Sequence, residues 1–235
     1  MAVVFVAPLS PAPAAAPEST GQSASNQVVA IDVLLEPDDA MTKFAQGVNQ
    51  QLRNNYPAGY TLNGPQVAHI SLVHRYVRAK DLPAIEAAVA TRAAAEKPLA
   101  WQLTATGFRY GVWAGVALTT IDVERTAQLK RFQEEIVKAV EPFAVAKGDA
   151  SAFHTNKELP RIDPEIIDYV AKFVPNASGE KYNPHITAGV AHEDFVKKLA
   201  ARPFEKISFK AARVSIYQLG NFGTAQKKLW QWPVQ

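Results

Sequence analysis

Two short triplets, His69-Ile70-Ser71 and His185-Ile186-Thr187, constrain this chain more than any other feature. Each sits among apolar neighbours, Ala68-His69-Ile70-Ser71-Leu72 in one case and Pro184-His185-Ile186-Thr187-Ala188 in the other. On an extended strand, residues i and i+2 project from the same face. Each triplet therefore presents an imidazole and a hydroxyl together, while its isoleucine packs against the opposite side. A single His-x-Ser or His-x-Thr arises by chance in many sequences. Here the pattern occurs twice, 116 residues apart, in opposite halves of a chain with five histidines. Spacing alone also fits a pair of half-buried histidines that serve sheet packing.

The surrounding pattern alternates strands with helices. Residues 28–35 form a continuous apolar run ended by Pro37, the signature of a buried strand. Asp38 and Asp39 open a helix through about residue 54, with acids in its first turn. Strands are expected at 67–73, 101–108 and 113–123, the last two joined by a turn containing Gly111, and an Ala-rich helix at 82–96. The spacing of Leu129, Phe132, Ile136 and Val140 predicts an amphipathic helix over 127–143. A helix opened by Pro164, a strand at 185–190, a helix at 194–200 and a hairpin over 206–232 turning near 220–223 complete the chain. The order repeats loosely: each half supplies a triplet-bearing strand, a helix and a strand pair. The expected fold is α+β, with two pseudo-symmetric lobes whose mainly antiparallel sheets face a central groove. Residues 145–181 exceed a minimal version of this plan and are expected to elaborate one lobe.

Charge and composition narrow the function classes. The net charge of +3 is uneven, because all 25 basic side chains but only 17 of the 22 acids follow residue 42, giving that body a net of +8. A basic body suits a phosphate-bearing ligand, although no Lys/Arg cluster resembles a nucleic-acid-binding tail. The absence of cysteine excludes a disulfide framework, a thiolate nucleophile and a Cys-ligated zinc site. No apolar run is long enough to span a bilayer, so no membrane partner is expected. Residues 1–26 are rich in Pro, Ala and Ser and are read as a flexible segment, with 27–235 as the folded domain. Residues 2–9 are apolar and precede Ala14-Ala15-Ala16, like the end of a secretory signal without its basic start. Export to the periplasm is the expectation, ahead of a cytoplasmic address.

An imidazole titrating near pH ~6.5 takes or gives a proton at neutral pH, and a hydroxyl beside it can donate to a phosphate oxygen. Two such units facing across a groove provide a general base, a general acid and two phosphate donors, enough for displacement at a phosphodiester without a metal. The two triplets resemble the paired His-x-Thr/Ser motifs of the two-histidine (2H) phosphoesterase superfamily, which includes RNA 2′–5′ ligase-like proteins and cyclic phosphodiesterases. The likeness extends to Ile31-Asp32-Val33-Leu34-Leu35, Asn183-Pro184 and Tyr217-Gln218-Leu219-Gly220. It implies a bilobal fold and a metal-independent phosphodiesterase with no cofactor. The implied substrate is a 2′,3′-cyclic or 2′–5′ phosphodiester of a nucleotide or RNA end. Carried onto this chain, it makes His69 and His185 the catalytic pair and has Ser71 and Thr187 hold the phosphate. Which histidine is the base stays open, as do 2′–5′ end-joining by the same site and a nucleotide- or RNA-binding module without turnover. The sequence is silent on oligomeric state, and a monomer is the default.

Other candidates are not promoted. His74 lies five positions beyond His69 and on an unbroken strand faces away from it; His192 lies seven beyond His185. Both are expected at the surface or at a helix cap. His154 falls in an irregular stretch and receives no role. Tyr182, Tyr110 and Phe108 are expected to be core rather than base-stacking rings, and Lys181 and Arg75 to be solvated. No His-Glu-x-x-His or comparable ligand pattern points to a metal. Residues 220–223 form a hairpin turn rather than a phosphate cradle, since no helix follows.

Overall fold

The computed structural model describes residues 26–233 apart from 63, 65 and 114. The apolar run near the start becomes β1 (Val28–Pro37), buried on both faces. Asp38 ends it and caps α1 (Asp39–Asn55), its carboxylate accepting from the Met41 N–H at 3.0 Å. The first triplet leads into β2 (Ile70–Arg78), followed by α2 (Leu82–Glu96), β3 (Leu103–Trp113) and β4 (Val116–Val123). Thr126 caps α3 (Ala127–Val140), whose Leu129, Phe132, Ile136 and Val140 are fully buried along the expected stripe. A short β5 (Ala144–Val145) and α4 (Pro164–Ala177) precede the second triplet, which opens β6 (His185–Ala191). The chain ends with α5 (Glu193–Ala200), β7 (Ile207–Phe209), β8 (Ala211–Leu219) and β9 (Ala225–Trp232).

All strand pairs among the described residues are antiparallel, in the order β7-β3-β4-β6-β2-β1-β8-β9, with β5 added beside β2. Helices and antiparallel sheet together make a curled half-barrel, the α+β class expected. Two lobes, β2-β1-β8-β9 and β6-β4-β3-β7, meet where β2 pairs with β6 at Ile70 and Ile186. The isoleucines of the two triplets are thus neighbours at the pseudo-twofold junction, both fully buried.

The halves exchange strands. β3 follows α2 in the first half yet pairs with β4 in the second lobe, and β8 from the second half pairs with β1 in the first. The expected hairpin turning near 220–223 is formed by β8 and β9, but its first residues are instead β7, which pairs with β3 across the molecule. Asp38 marks the crossing, exchanging backbone and side-chain bonds with Lys210. The turn expected at Gly111 lies further on. β3 runs through Gly107 and Gly111 to Trp113, and Gly115, at φ +79°, takes the left-handed turn position.

Both triplet strands carry a bulge at the same place. Opposite Val33 and Leu34 of β1 stand Val73 and Ser71, leaving Leu72 unpaired; opposite Thr119 and Thr120 of β4 stand Gly189 and Thr187, leaving Ala188 unpaired. A bulge frees a carbonyl, which needs a donor when buried. The donor comes from the other half in each case. Gln133 of α3 donates to the Leu72 carbonyl at 3.0 Å, and Asn49 of α1 donates to the Ala188 carbonyl at 2.8 Å. The same amides tie down the loops before each triplet: Asn49 bonds Tyr60 and Leu62, and Gln133 bonds Ser178 and Gly179. Gly189, at φ +144°, fits under Asn49, where an added Cβ would meet Nδ2 at 2.8 Å.

Residues 145–181 do elaborate one lobe. α4 packs on β2, and Ile166 and Val170 join Ala30, Tyr76 and Leu219 in a separate apolar cluster. No helix among the described residues is long and apolar enough to cross a membrane. The Pro/Ala/Ser-rich segment and its signal-like features lie, but for residue 26, outside the described residues.

Removing either amide leaves a buried bulge carbonyl without its donor. Asn49→Leu and Gln133→Leu should each lower unfolding free energy in urea by about 1–3 kcal/mol, and Ile186→Ala at the lobe junction by about 2–5 kcal/mol.

Candidate active site

One cavity of about 460 Å³ lies where the two triplet strands meet, and it brings together His69, Ser71, His185 and Thr187. The triplets match down to ring orientation. His69 Nδ1 lies 2.8 Å from the carbonyl of Val67, and His185 Nδ1 lies 2.8 Å from the carbonyl of Asn183, each two residues back. A carbonyl only accepts, so Nδ1 carries the proton in both rings and Nε2 is left for the groove. Ile70, Leu72, Ile186 and Ala188 pack into the core behind them, as the strand alternation requires.

The surroundings of the two triplets differ. Asp32 of β1 is fully buried beneath the first. Its Oδ2 accepts from the Ser71 hydroxyl at 2.7 Å and lies 3.4 Å from His69 Nε2 and 3.2 Å from His74 Nε2. Burial first, and then Asp32, push the nearby Tyr169 phenol up to about 12. Beside the second triplet stands a cation: Arg109 bonds Asp122 at 2.9 Å, and the Asn183 amide oxygen accepts from the same guanidinium. The groove wall strips water from the His185 ring and holds its pKa below the usual histidine value, an effect the Asn183 carbonyl opposes and Arg109 reinforces.

His74 is a correction to the sequence expectation. It is not at the surface but 3% exposed, in the groove wall, with its ring stacked on Phe173 at 4.6 Å and edge-on to Tyr169 at 5.6 Å. The bulge at Leu72 supplies the reason, since one extra residue inverts the face of everything after it. His192 does sit at a helix cap, before α5, against Tyr56. Tyr182 is buried and donates to the Ser71 carbonyl at 3.2 Å while also reaching the groove, and Phe108 packs with Phe44 and Phe204. Tyr110 and Lys181 line the groove, and Arg75 pairs with Glu141 outside it. Two groove features go beyond the sequence reading, the Asp32 carboxylate and the Arg109–Asp122 pair. A lone acid inside the apolar run 28–35 is the available signal for the first. Nothing distinguishes Arg109 in the sequence.

The family profile described as the 2′-5′ RNA ligase superfamily matches residues 37–221. Among solved structures, the chain is similar to TT0787 of Thermus thermophilus, at 15% identity and a TM-score of 0.49, covering 86% of this chain and 96% of that one. It is also similar to E. coli LigT in its apo form, at 12% identity and a TM-score of 0.42, covering 87% of this chain and 96% of that one. No curated protein matches the chain in sequence.

The contrast between the two rings is open to titration. Followed by NMR, His185 should gain its proton only below pH 6.5, the value of an ordinary histidine, and Arg109→Gln should move that midpoint upward. A midpoint at or above 6.5 in the wild type would contradict the desolvated setting described for this ring.

Proposed function

Because the chain belongs to the 2′-5′ RNA ligase superfamily of two-histidine phosphoesterases, we propose that its groove hydrolyses a 2′,3′-cyclic or 2′–5′ phosphodiester of a nucleotide or RNA end, without a metal. Membership carries a phosphodiesterase or ligase type of activity. The observation that carries the finer reading is the matched pair of Nδ1 to carbonyl bonds, which leaves both Nε2 atoms free of the backbone in two rings that line one groove, each with a hydroxyl two residues on.

In this reading His185 is the base. Burial and Arg109 favour its neutral form, so its Nε2 lone pair takes a proton from water as the water oxygen bonds to phosphorus. His69 is the acid: a proton on its Nε2 lies beside the Asp32 carboxylate, and it passes to the ribose oxygen as the P–O bond breaks. Ser71 and Thr187 donate to the two non-bridging oxygens. One water is added overall, and the histidines regain their starting protonation by exchange with solvent. The rings of Tyr169, Phe173 and Phe222 along one wall support a nucleotide as ligand, since bases stack on aromatic faces.

The test is hydrolysis of a 2′,3′-cyclic nucleotide in EDTA. Wild-type turnover should persist, and His69→Ala and His185→Ala should each lower it by about 10²–10⁴-fold, the usual size of one proton-transfer role. Turnover that ignores both substitutions would sink the reading. A joined product from RNA half-molecules would assign the reverse reaction instead, and binding without any turnover would assign a binding module.

A further inference from the structure

The first motif holds an arrangement that the second lacks, and it bears on how Ser71 can serve a phosphate at all. A serine hydroxyl has one proton. In this structure that proton goes to the Asp32 carboxylate at 2.7 Å, a charge-assisted bond. A phosphate arriving in the groove would then meet only the lone pairs of Ser71, which repel it. Turning the proton to the phosphate would strip Asp32, a fully buried carboxylate, of its shortest hydrogen bond. Such a loss is expensive unless another donor takes over.

His74 is placed to be that donor. Its Nε2 lies 3.2 Å from the same Asp32 oxygen and 3.1 Å from the Ser71 oxygen. Its Nδ1 is buried without a hydrogen-bond partner among the described residues, so the ring proton belongs on Nε2, where both neighbours can accept it. The ring is held there by Phe173 and Tyr169 of α4, and so by the segment that elaborates this lobe. The positions matching Asp32 and His74 in the second lobe are Leu118 and Val190, which pair in the same register. An apolar pair therefore satisfies this place in the fold, and the packing of the lobes does not call for a buried acid and histidine.

We propose that His74 and Asp32 are positioning residues for the phosphate-binding hydroxyl: when a phosphate enters, His74 replaces Ser71 as the donor to Asp32, and the freed Ser71 proton turns to a phosphate oxygen. Asp32 thus fixes where the hydroxyl waits, and His74 releases it. The inference rests on the groove being a phosphate site, as proposed above, but not on its turning anything over.

Calorimetric binding of adenosine 2′-monophosphate to the full chain tests it, using Ser71→Ala, His74→Phe, the double variant and His74→Gln. His74→Phe keeps a ring to stack on Phe173 and loses the donor. It should weaken binding about 10- to 100-fold, as Ser71→Ala does, the range for one hydrogen bond to a charged group. In the Ser71→Ala background His74→Phe should cost nothing more, a non-additivity that a purely structural role would not produce. His74→Gln, which restores a donor, should recover most of the lost affinity. Should His74→Phe fail to fold by circular dichroism, His74→Leu carries the same comparison. Wild-type affinity in His74→Phe, or a full further loss in the double variant, overturns the proposal. Binding that depends on His74 in a protein that hydrolyses no cyclic phosphate contradicts the proposed function and leaves this inference standing. A wild type that does not bind the nucleotide contradicts both.

Discussion

Two bulge carbonyls, each held by a buried amide from the opposite half of the chain, are the constraint on which the rest of this structure depends. Leu72 and Ala188 follow the two motif hydroxyls directly, and their carbonyls would be orphaned in the core without Gln133 and Asn49. Each amide also secures the loop that leads into a motif. Helix, loop and strand are thereby locked across the pseudo-twofold junction, and Ile70 and Ile186 close it from the core side. The placing of each imidazole and hydroxyl follows from this frame. The two halves of the chain act as one body because each supplies the donor the other needs.

On this symmetric frame the chemistry is asymmetric. The same register holds Asp32 and His74 in one lobe and Leu118 and Val190 in the other. A carboxylate stands beside His69, and a guanidinium beside His185. A repeated geometry brings two imidazoles to one groove, where their neighbours differ. The segment over 145–181 belongs to this asymmetry, since α4 walls the groove over one lobe and stacks on His74.

Much of this is legible in the sequence, for physical reasons that differ from residue to residue. The motif strands announce themselves because alternation puts His and hydroxyl on one face and aliphatic residues on the other. α2 matches its expected bounds at 82–96 because an Ala-rich run between Pro83 and Pro98 leaves little choice. Strand alternation puts His74 on the wrong face because a bulge changes the parity of a strand while leaving no mark in residue types. The exchange of β3 and β8 between lobes is hidden because strand pairing is a long-range choice, and each strand alone looks the same in either partnership. Gly111 reads as a turn residue, yet it lies inside β3, where packing of the strand against its neighbours overrides local preference. Asp32 is visible as a lone charge in an apolar run, but only the folded chain shows the three side chains gathered on it.

The central claim is that the two motifs form one phosphate-centred site, and a crystal structure with a bound nucleoside 2′-phosphate tests it most directly. The account predicts phosphorus between the Nε2 atoms of His69 and His185, phosphate oxygens on the hydroxyls of Ser71 and Thr187, and His74 Nε2 remaining on Asp32. A phosphate seated away from either histidine, or one whose oxygens lie beyond hydrogen-bond reach of the Ser71 hydroxyl, would contradict it.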